Sequence, residues 1–288
     1  MGAFIGRRKS NPGKATQPKN NDNKDMWFDA GVNLTNKRLL SDLEGVLARA
    51  HDAGVERMLV IATNEQESQQ AINLCEQYPG RLVATVGVHP HDASEVSENY
   101  VDILEELARH PSVVAIGECG LDFNRNYSPA ADQQQVFTQQ VLLANRLGLP
   151  LYLHERDAQQ QQLEILNQHC AEHTVCLSHC FTGGPEQAQA YIKRGHWFGL
   201  TGWLCDERRN KELLEALQLL PRDKVVIETD APFLLPRNIK PRPKMNEPSL
   251  LPFVGEGLAE GWSTALEEVA QVTLDNSTRL FNLAELRG

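Results

Sequence analysis

Between Met26 and Thr229 the chain repeats one unit eight times: a short apolar run of β type, then a stretch with apolar residues at helical spacing. The β-type runs fall at Met26–Asp29, Arg57–Ala62, Leu82–Val88, Val113–Gly117, Leu151–His154, Thr174–His179, Trp197–Thr201 and Lys224–Thr229. The stretches between them follow patterns such as Leu39, Leu40, Leu43, Val46, Leu47 and Ala50, which share one face of a helix. Gly54, Gly80, Gly148 and Gly195 each stand just before a run, where a helix C-terminus calls for a positive φ. Strands that alternate with helices pair in parallel through crossovers, and eight such units over roughly 250 residues match a closed barrel. An open doubly wound sheet is the competitor, but its glycine-rich first turn is missing: the first strand runs into Gly31-Val32-Asn33-Leu34-Thr35. The sequence predicts an α/β chain with a (β/α)8 TIM barrel over residues 26–288 as one domain, the proline-rich stretch Pro236–Pro252 being a rigid loop after the eighth strand.

Charge narrows the partners. The 288 residues carry a formal net charge of −10, and the basic first 25 account for +4, leaving −14 on the barrel. That balance excludes sequence-independent coating of duplex DNA, so a polyanionic partner needs a local basic path or a metal ion. No apolar run approaches the ~18 residues of a membrane span, so no membrane partner is expected. Six cysteines (75, 119, 170, 176, 180 and 205) are scattered without a CxxC pair through a chain that needs no staples. This reads as reduced thiols in a cytoplasmic protein. Residues 1–25 are polar and aperiodic, and they read as a disordered arm or an expression remnant. Gly6 stands where myristoylation requires Ser or Thr, and the opening MGAFIG is too short for a signal peptide.

In a parallel barrel the C-terminal ends of all strands open on one face, so residues far apart in sequence meet there. Asp29 ends the first predicted strand, His89 and His91 follow the third, Glu118 the fourth, His154 the fifth, His179 the sixth and Asp230 the eighth. One histidine at a strand end is more often a hydrogen-bonded core residue, and one carboxylate there is often a helix cap. Two imidazoles and two carboxylates at four ends are a different matter, because a buried carboxylate needs a partner. Glu118, His154, His179 and Asp230 form a mixed N/O donor set suited to Mg²⁺, Mn²⁺, Zn²⁺ or Fe²⁺.

Five segments, GVHPHD (87–92), AIGECGLDFNR (115–125), PLYLHERDA (150–158), SHCFTG (178–183) and IETDAPFLLPR (227–237), resemble the TatD family of metal-dependent deoxyribonucleases in order and content. Asn246-Glu247-Pro248 and Asn276 with Leu280-Phe281 extend the resemblance to about residue 285. The resemblance implies a metallo-dependent hydrolase barrel that cleaves nucleic-acid phosphodiesters, commonly by 3′→5′ exonucleolytic trimming of single-stranded DNA or RNA. It implies an ester-bond hydrolase acting as a monomer, with a place in DNA repair or nucleic-acid turnover. The implied cofactor is a divalent cation, Mg²⁺ first and Mn²⁺ or Zn²⁺ as alternatives. By the same resemblance Glu118 is the bridging metal ligand, His154 and His179 are the imidazole ligands, and Asp230 approaches the metal and orients the attacking water. His89 resembles a position that faces the scissile phosphate, which makes Asp230, Glu118 and His89 the catalytic set.

Most of the family opens with an HxH pair that holds a second metal, whereas this chain has Gly31 and Asn33 at those positions. The GVNLT opening is similar to that of the TatD branch proper. Glycine has no ligand atom and the Asn carbonyl is a weak one, so a second ion is expected to bind loosely through Asp29, Asp230 and Glu118. Restoring both histidines is then expected to add a metal. Arg156 and, beyond it, Arg125, Arg208, Arg209 and Arg237 are candidate phosphate contacts, and Trp203 and Phe233 are candidate stacking faces. Cys119 and Cys180 are expected to turn toward the helix layer by alternation with Glu118 and His179. The competing readings are a small-molecule amidohydrolase or lactonase, whose HxH pair and carboxylated lysine are both missing, and a non-catalytic binding protein.

Overall fold

The computed structural model describes residues 25–284, so the expected N-terminal arm up to residue 24 lies outside the described residues. Eight strands run in one parallel sheet in the order β1 to β8. They are β1 (Trp27–Val32), β2 (Val55–Val60), β3 (Leu82–Val86), β4 (Val113–Asp122), β5 (Leu151–Arg156), β6 (Cys176–Ser178), β7 (Trp197–Leu200) and β8 (Val225–Ile227). The helices are α1 (Lys37–Leu40), α2 (Leu43–Asp52), α3 (Glu65–Gln77), α4 (Tyr100–Leu107), α5 (Ala130–Leu147), α6 (Gln159–His169), α7 (Pro185–Lys193), α8 (Lys211–Leu217), α9 (Leu251–Trp262) and α10 (Leu266–Leu280). The TIM barrel expected from the eightfold alternation is the observed architecture. Gly54, Gly80, Gly148 and Gly195 all have positive φ, as the strand-entry positions required. No helix among the described residues is long and apolar enough to cross a membrane.

Alternation along the strands sorts the core. Met58 and Val60 pack outward with the helices, while Leu59 and Ile61 join Phe28, Ala30, Ala115, Tyr152, Leu177 and Val226 in a separate interior cluster. Phe281 stacks on Phe28 at 5.9 Å, so the end of α10 is packed against this interior. Asn276 ties α10 to β8 by donating from Nδ2 to the carbonyls of Arg222 (2.8 Å) and Val225 (2.7 Å).

The seam between β8 and β1 closes just beyond β8. Asp230 N–H donates to the Gly31 carbonyl (2.8 Å), and Asn33 N–H donates to the Ala231 carbonyl (2.9 Å). Asp29 completes the seam rather than facing the mouth as a metal-ligand oxygen. Fully buried, it accepts from Thr229 N–H (2.8 Å), Thr229 Oγ1 (2.5 Å) and Gly31 N–H (3.2 Å). Burial raises its carboxyl to about 7, against the Thr229 and Gly31 hydrogen bonds that lower it.

Asp29→Ala is expected to cost about 3 kcal/mol in denaturant unfolding, since it strands three buried donors at the seam. The raised value means that the folded chain keeps a proton the unfolded chain has released. Stability from this group is therefore full below the ordinary 3.8 and declines as the pH rises through about 7. Asp29→Asn, which cannot ionise, is expected to flatten the pH dependence of stability over that window.

Candidate active site at the barrel mouth

A cavity of about 950 Å³ opens at the C-terminal ends of the strands, lined among others by Asn33, His89, Glu118, His154, His179 and Asp230. Glu118 is its centre. β4 and β5 shift register between Gly117 and Cys119, and this irregularity leaves Glu118 out of the ladder. Its Oε1 lies 2.9 Å from His154 Nδ1, 3.5 Å from His89 Nε2 and 3.6 Å from His179 Nε2. Burial alone would raise this carboxyl, but the protonated His179, the nearby His89 ring and the His154 hydrogen bond hold it well below the ordinary carboxylate value.

The partners of each imidazole decide which nitrogen is free. His179 Nδ1 lies 2.8 Å from Glu228 Oε2, a buried carboxylate that only accepts, so Nδ1 carries a proton and Nε2 is the nitrogen aimed at Glu118. His154 lies between two carboxylates, with Nδ1 on Glu118 and Nε2 3.1 Å from Asp122 Oδ2. Burial pushes His154 down, but Asp122 and Glu118 outweigh it and raise it to about 9. In the same way burial pushes His179 down, but Glu228 and Glu118 outweigh it and raise it to about 10.

His89 differs. Its Nδ1 accepts from His91 N–H at 3.1 Å, and burial, with the neighbouring His154 charge, lowers its pKa. Neutral His89 therefore presents Nε2–H toward Glu118, a donor rather than a lone pair. His89, Glu118 and His154 offer ligand atoms within 4.8 Å of one another, and His179 Nε2 approaches the same Glu118 oxygen at 3.6 Å. Asp230 is brought to the same mouth but makes no direct contact with these three among the described residues. Burial and the Glu118 charge raise its carboxyl to about 7, although His179 and Asn33 oppose the rise.

Three residues that sequence reading missed hold the site in place. β4 runs on to Asp122, beyond the expected end at Gly117. Asp122 Oδ2 takes His91 Nε2 (2.8 Å) and His154 Nε2, while Oδ1 takes the backbone N–H of Asn124 (3.1 Å) and Arg125 (2.8 Å). One carboxylate thus couples an imidazole of the centre to the loop that carries Arg125. Tyr152 sits two residues before His154 on β5 and so faces the same way along the strand, while Glu228 follows β8, which ends at Ile227. For Tyr152 that two-residue spacing was the available signal.

The altered opening also has an explanation. A Cβ on Gly31 would meet Tyr152 OH at 2.1 Å and Glu228 Oε2 at 2.7 Å, so the place of a first histidine is already filled. Asn33 is no carbonyl ligand. Its Nδ2 donates to Asp230 Oδ1 (2.9 Å) and to the Ala231 carbonyl (3.2 Å), fixing the Asp230 carboxylate. A histidine at position 31 would therefore have to displace Tyr152 and Glu228 before it could add a metal.

The cationic candidates divide into two groups. Arg208, Arg209 and Arg237 are spent on Asp206 at 2.6, 2.9 and 3.5 Å, and Arg237 also meets Glu207 at 3.1 Å. Arg209 in addition lies 3.6 Å over the Trp203 ring. Arg125 and Arg156 line the cavity and make no ion pair among the described residues. Phe233 is 49% exposed on the loop after β8, which Asn246 pins by donating to the Phe233 and Thr229 carbonyls. Cys119 packs with the helix layer as alternation implied. Cys180 does not: β6 ends at Ser178, and with φ 46° Cys180 lines the cavity. Burial and the Asp230 charge hold its thiol well above the ordinary value, which leaves it unreactive.

Barrel and mouth together define a hydrolase with an imidazole–carboxylate centre at the C-terminal face. Among solved structures, the TatD homologue YJJV from Escherichia coli superposes with a TM-score of 0.81 at 29% identity, covering 90% of this chain and 98% of that one. A TatD family hydrolase from Entamoeba histolytica shares the fold at a TM-score of 0.82 and 24% identity, covering 89% and 98% of the two chains. The 3′-5′ ssDNA/RNA exonuclease TatD of Erwinia tasmaniensis is 45% identical over 258 residues, 89% of this chain and 100% of the relative. The model of the TatD related DNase family matches residues 28–282. The chain belongs to the TatD-related DNase family.

Because the Gly31 pocket is filled, Gly31→His with Asn33→His is expected to lower stability by more than about 3 kcal/mol through overpacking and the loss of the Asn33–Asp230 bond. A thermal melt beside the wild type checks this, and a gain of a second ion without loss of stability would refute the account of the opening.

Proposed function

We propose that this barrel is a divalent-metal-dependent nuclease that removes nucleotides from the 3′ end of single-stranded DNA or RNA. The observation that carries the reading is the convergence of His154 Nδ1 and His179 Nε2 on Glu118 Oε1, with the opposite nitrogen of each ring tied to a carboxylate. That second tie leaves the inner nitrogen as the one that can give up its proton to a cation. Glu118, His154 and His179 would hold the ion, with Asp230 at its edge. The donor set of two nitrogens and carboxylate oxygens fits Mg²⁺, Mn²⁺ or Zn²⁺. When bound, the ion would supply positive charge against the phosphate oxygens and ready a water for attack.

The remaining roles belong to the chain's own side chains. Asp230, oriented by Asn33, accepts the proton of the attacking water. His89 donates from Nε2–H to a non-bridging phosphate oxygen. Arg156 and Arg125 receive the flanking phosphates, since neither is neutralised, whereas Arg208, Arg209 and Arg237 are. Phe233, exposed at the rim, offers a stacking surface that suits any base. One chain supplies every group named, so the site as read needs no second copy, in keeping with a monomer. The six free thiols suit the cytoplasm.

Purified protein given 3′- or 5′-labelled single strands with Mg²⁺ or Mn²⁺ is expected to yield a ladder receding from the 3′ end, and none in excess chelator. Glu118→Ala is expected to lower turnover by about three orders of magnitude while the fold survives, because both charge neutralisation and water activation are lost. Full activity in chelator would overturn the metal-dependent reading. Arg125→Ala is expected to raise KM with little change in kcat and to reduce the slope of log KM against log salt by about 0.7, the single-strand value for one phosphate contact. Arg208→Ala is expected to leave that slope unchanged.

A further inference from the structure

Beneath the centre, on the interior face of the barrel, lies a carboxylate that accepts three hydrogen bonds from protein donors. Glu228 is fully buried. Its Oε1 accepts from Cys180 N–H at 2.6 Å, and its Oε2 accepts from Tyr152 OH at 2.5 Å and from His179 Nδ1 at 2.8 Å. Tyr152 OH also lies 2.8 Å from His179 Nδ1, so the phenol, the carboxylate and the imidazole form a closed triangle. Two glycines leave room for it. A Cβ at Gly199 would meet Glu228 Oε1 at 2.3 Å, and one at Gly31 would meet the phenol oxygen at 2.1 Å.

We propose that Tyr152 and Glu228 are a positioning pair for His179, and that by filling the space beside Gly31 they close the β1 side of the centre, leaving a site for one tightly held ion. The inference rests on the metal-dependent reading above and concerns how this chain sets it up. Glu228 fixes the ring orientation and keeps the proton on Nδ1, so that Nε2 faces Glu118. Tyr152 spends its only proton on Glu228, which anchors the carboxylate from the β5 side. Neither residue touches the substrate. A glutamine at 228 would preserve shape but carries one acceptor and one donor, so it leaves either Cys180 N–H or His179 Nδ1–H facing an amide N–H.

The test is calorimetric titration of Mn²⁺ into the metal-free full chain, without substrate, for the wild type, Glu228→Gln and Tyr152→Phe. The wild type is expected to bind one ion tightly. Glu228→Gln is expected to bind it about 10- to 100-fold more weakly, as loss of a partner behind a ligating imidazole does. Tyr152→Phe is expected to weaken it about fivefold, the worth of one hydrogen bond. In activity assays the Mn²⁺ concentration for half-maximal rate should rise by the same factors while kcat at saturating Mn²⁺ recovers, which a general loss of structure would not produce. Wild-type affinity in both variants would overturn the positioning role. If Glu228→Gln fails to fold, Tyr152→Phe decides it alone. Two equally tight ions in the wild type would overturn the closure of the β1 side. A wild type that binds no Mn²⁺ at all would instead sink the metal-dependent reading itself.

Discussion

A carboxylate buried in a closed barrel is tolerated only where donors meet it, and this molecule satisfies that condition at Asp29, Glu228, Asp122 and Glu118. Asp29 is met by backbone and hydroxyl donors at the seam. Glu228 is met by a phenol, an imidazole and an amide. Asp122 is met by two imidazoles and two amides. Glu118 alone faces imidazoles on several sides with open space at the mouth. The three fully committed carboxylates are structural, and their role is to hold the geometry around the fourth. Charge that would otherwise destabilise the interior is turned into orientation.

This division of labour explains the opening Gly31-Val32-Asn33. Read as a lost ligand pair, it looks like a weakened site. In the barrel, Gly31 is the vacancy that Tyr152 and Glu228 need, and Asn33 is the amide that fixes Asp230. The glycine is required by packing, because a single Cβ would sit inside the phenol oxygen's radius. The asparagine works through its donor side, not through its carbonyl.

Electrostatics of the mouth follow the same logic on a larger scale. A body of net −14 repels a polyanion at a distance. Asp206 and Glu207 neutralise Arg208, Arg209 and Arg237 on the β7 and β8 side, whereas Arg125 and Arg156 beside β4 and β5 line the cavity without an ion pair among the described residues. The backbone N–H of Arg125 is held by Asp122, the same carboxylate that holds His154. The loop that carries Arg125 and the His154 imidazole are therefore mechanically joined through one side chain.

The sequence by itself determined the barrel, because a strand–helix alternation repeated eight times without the glycine-rich first turn of an open doubly wound sheet closes on itself. It also determined that Glu118, His154, His179 and Asp230 share one face, since strand ends in such a barrel converge. Only the tertiary structure decided what Asp29, Gly31, Asn33, Asp122, Tyr152 and Glu228 do, and which arginines remain free. Strand-end position is a one-dimensional property, legible from periodicity. Hydrogen-bond partnership depends on register shifts, such as the one at Glu118, and on side chains meeting from strands far apart in the chain, such as Tyr152 and Glu228. A contact of that kind leaves no periodic mark in sequence, because the two residues are set by different strands and brought together only when the barrel closes.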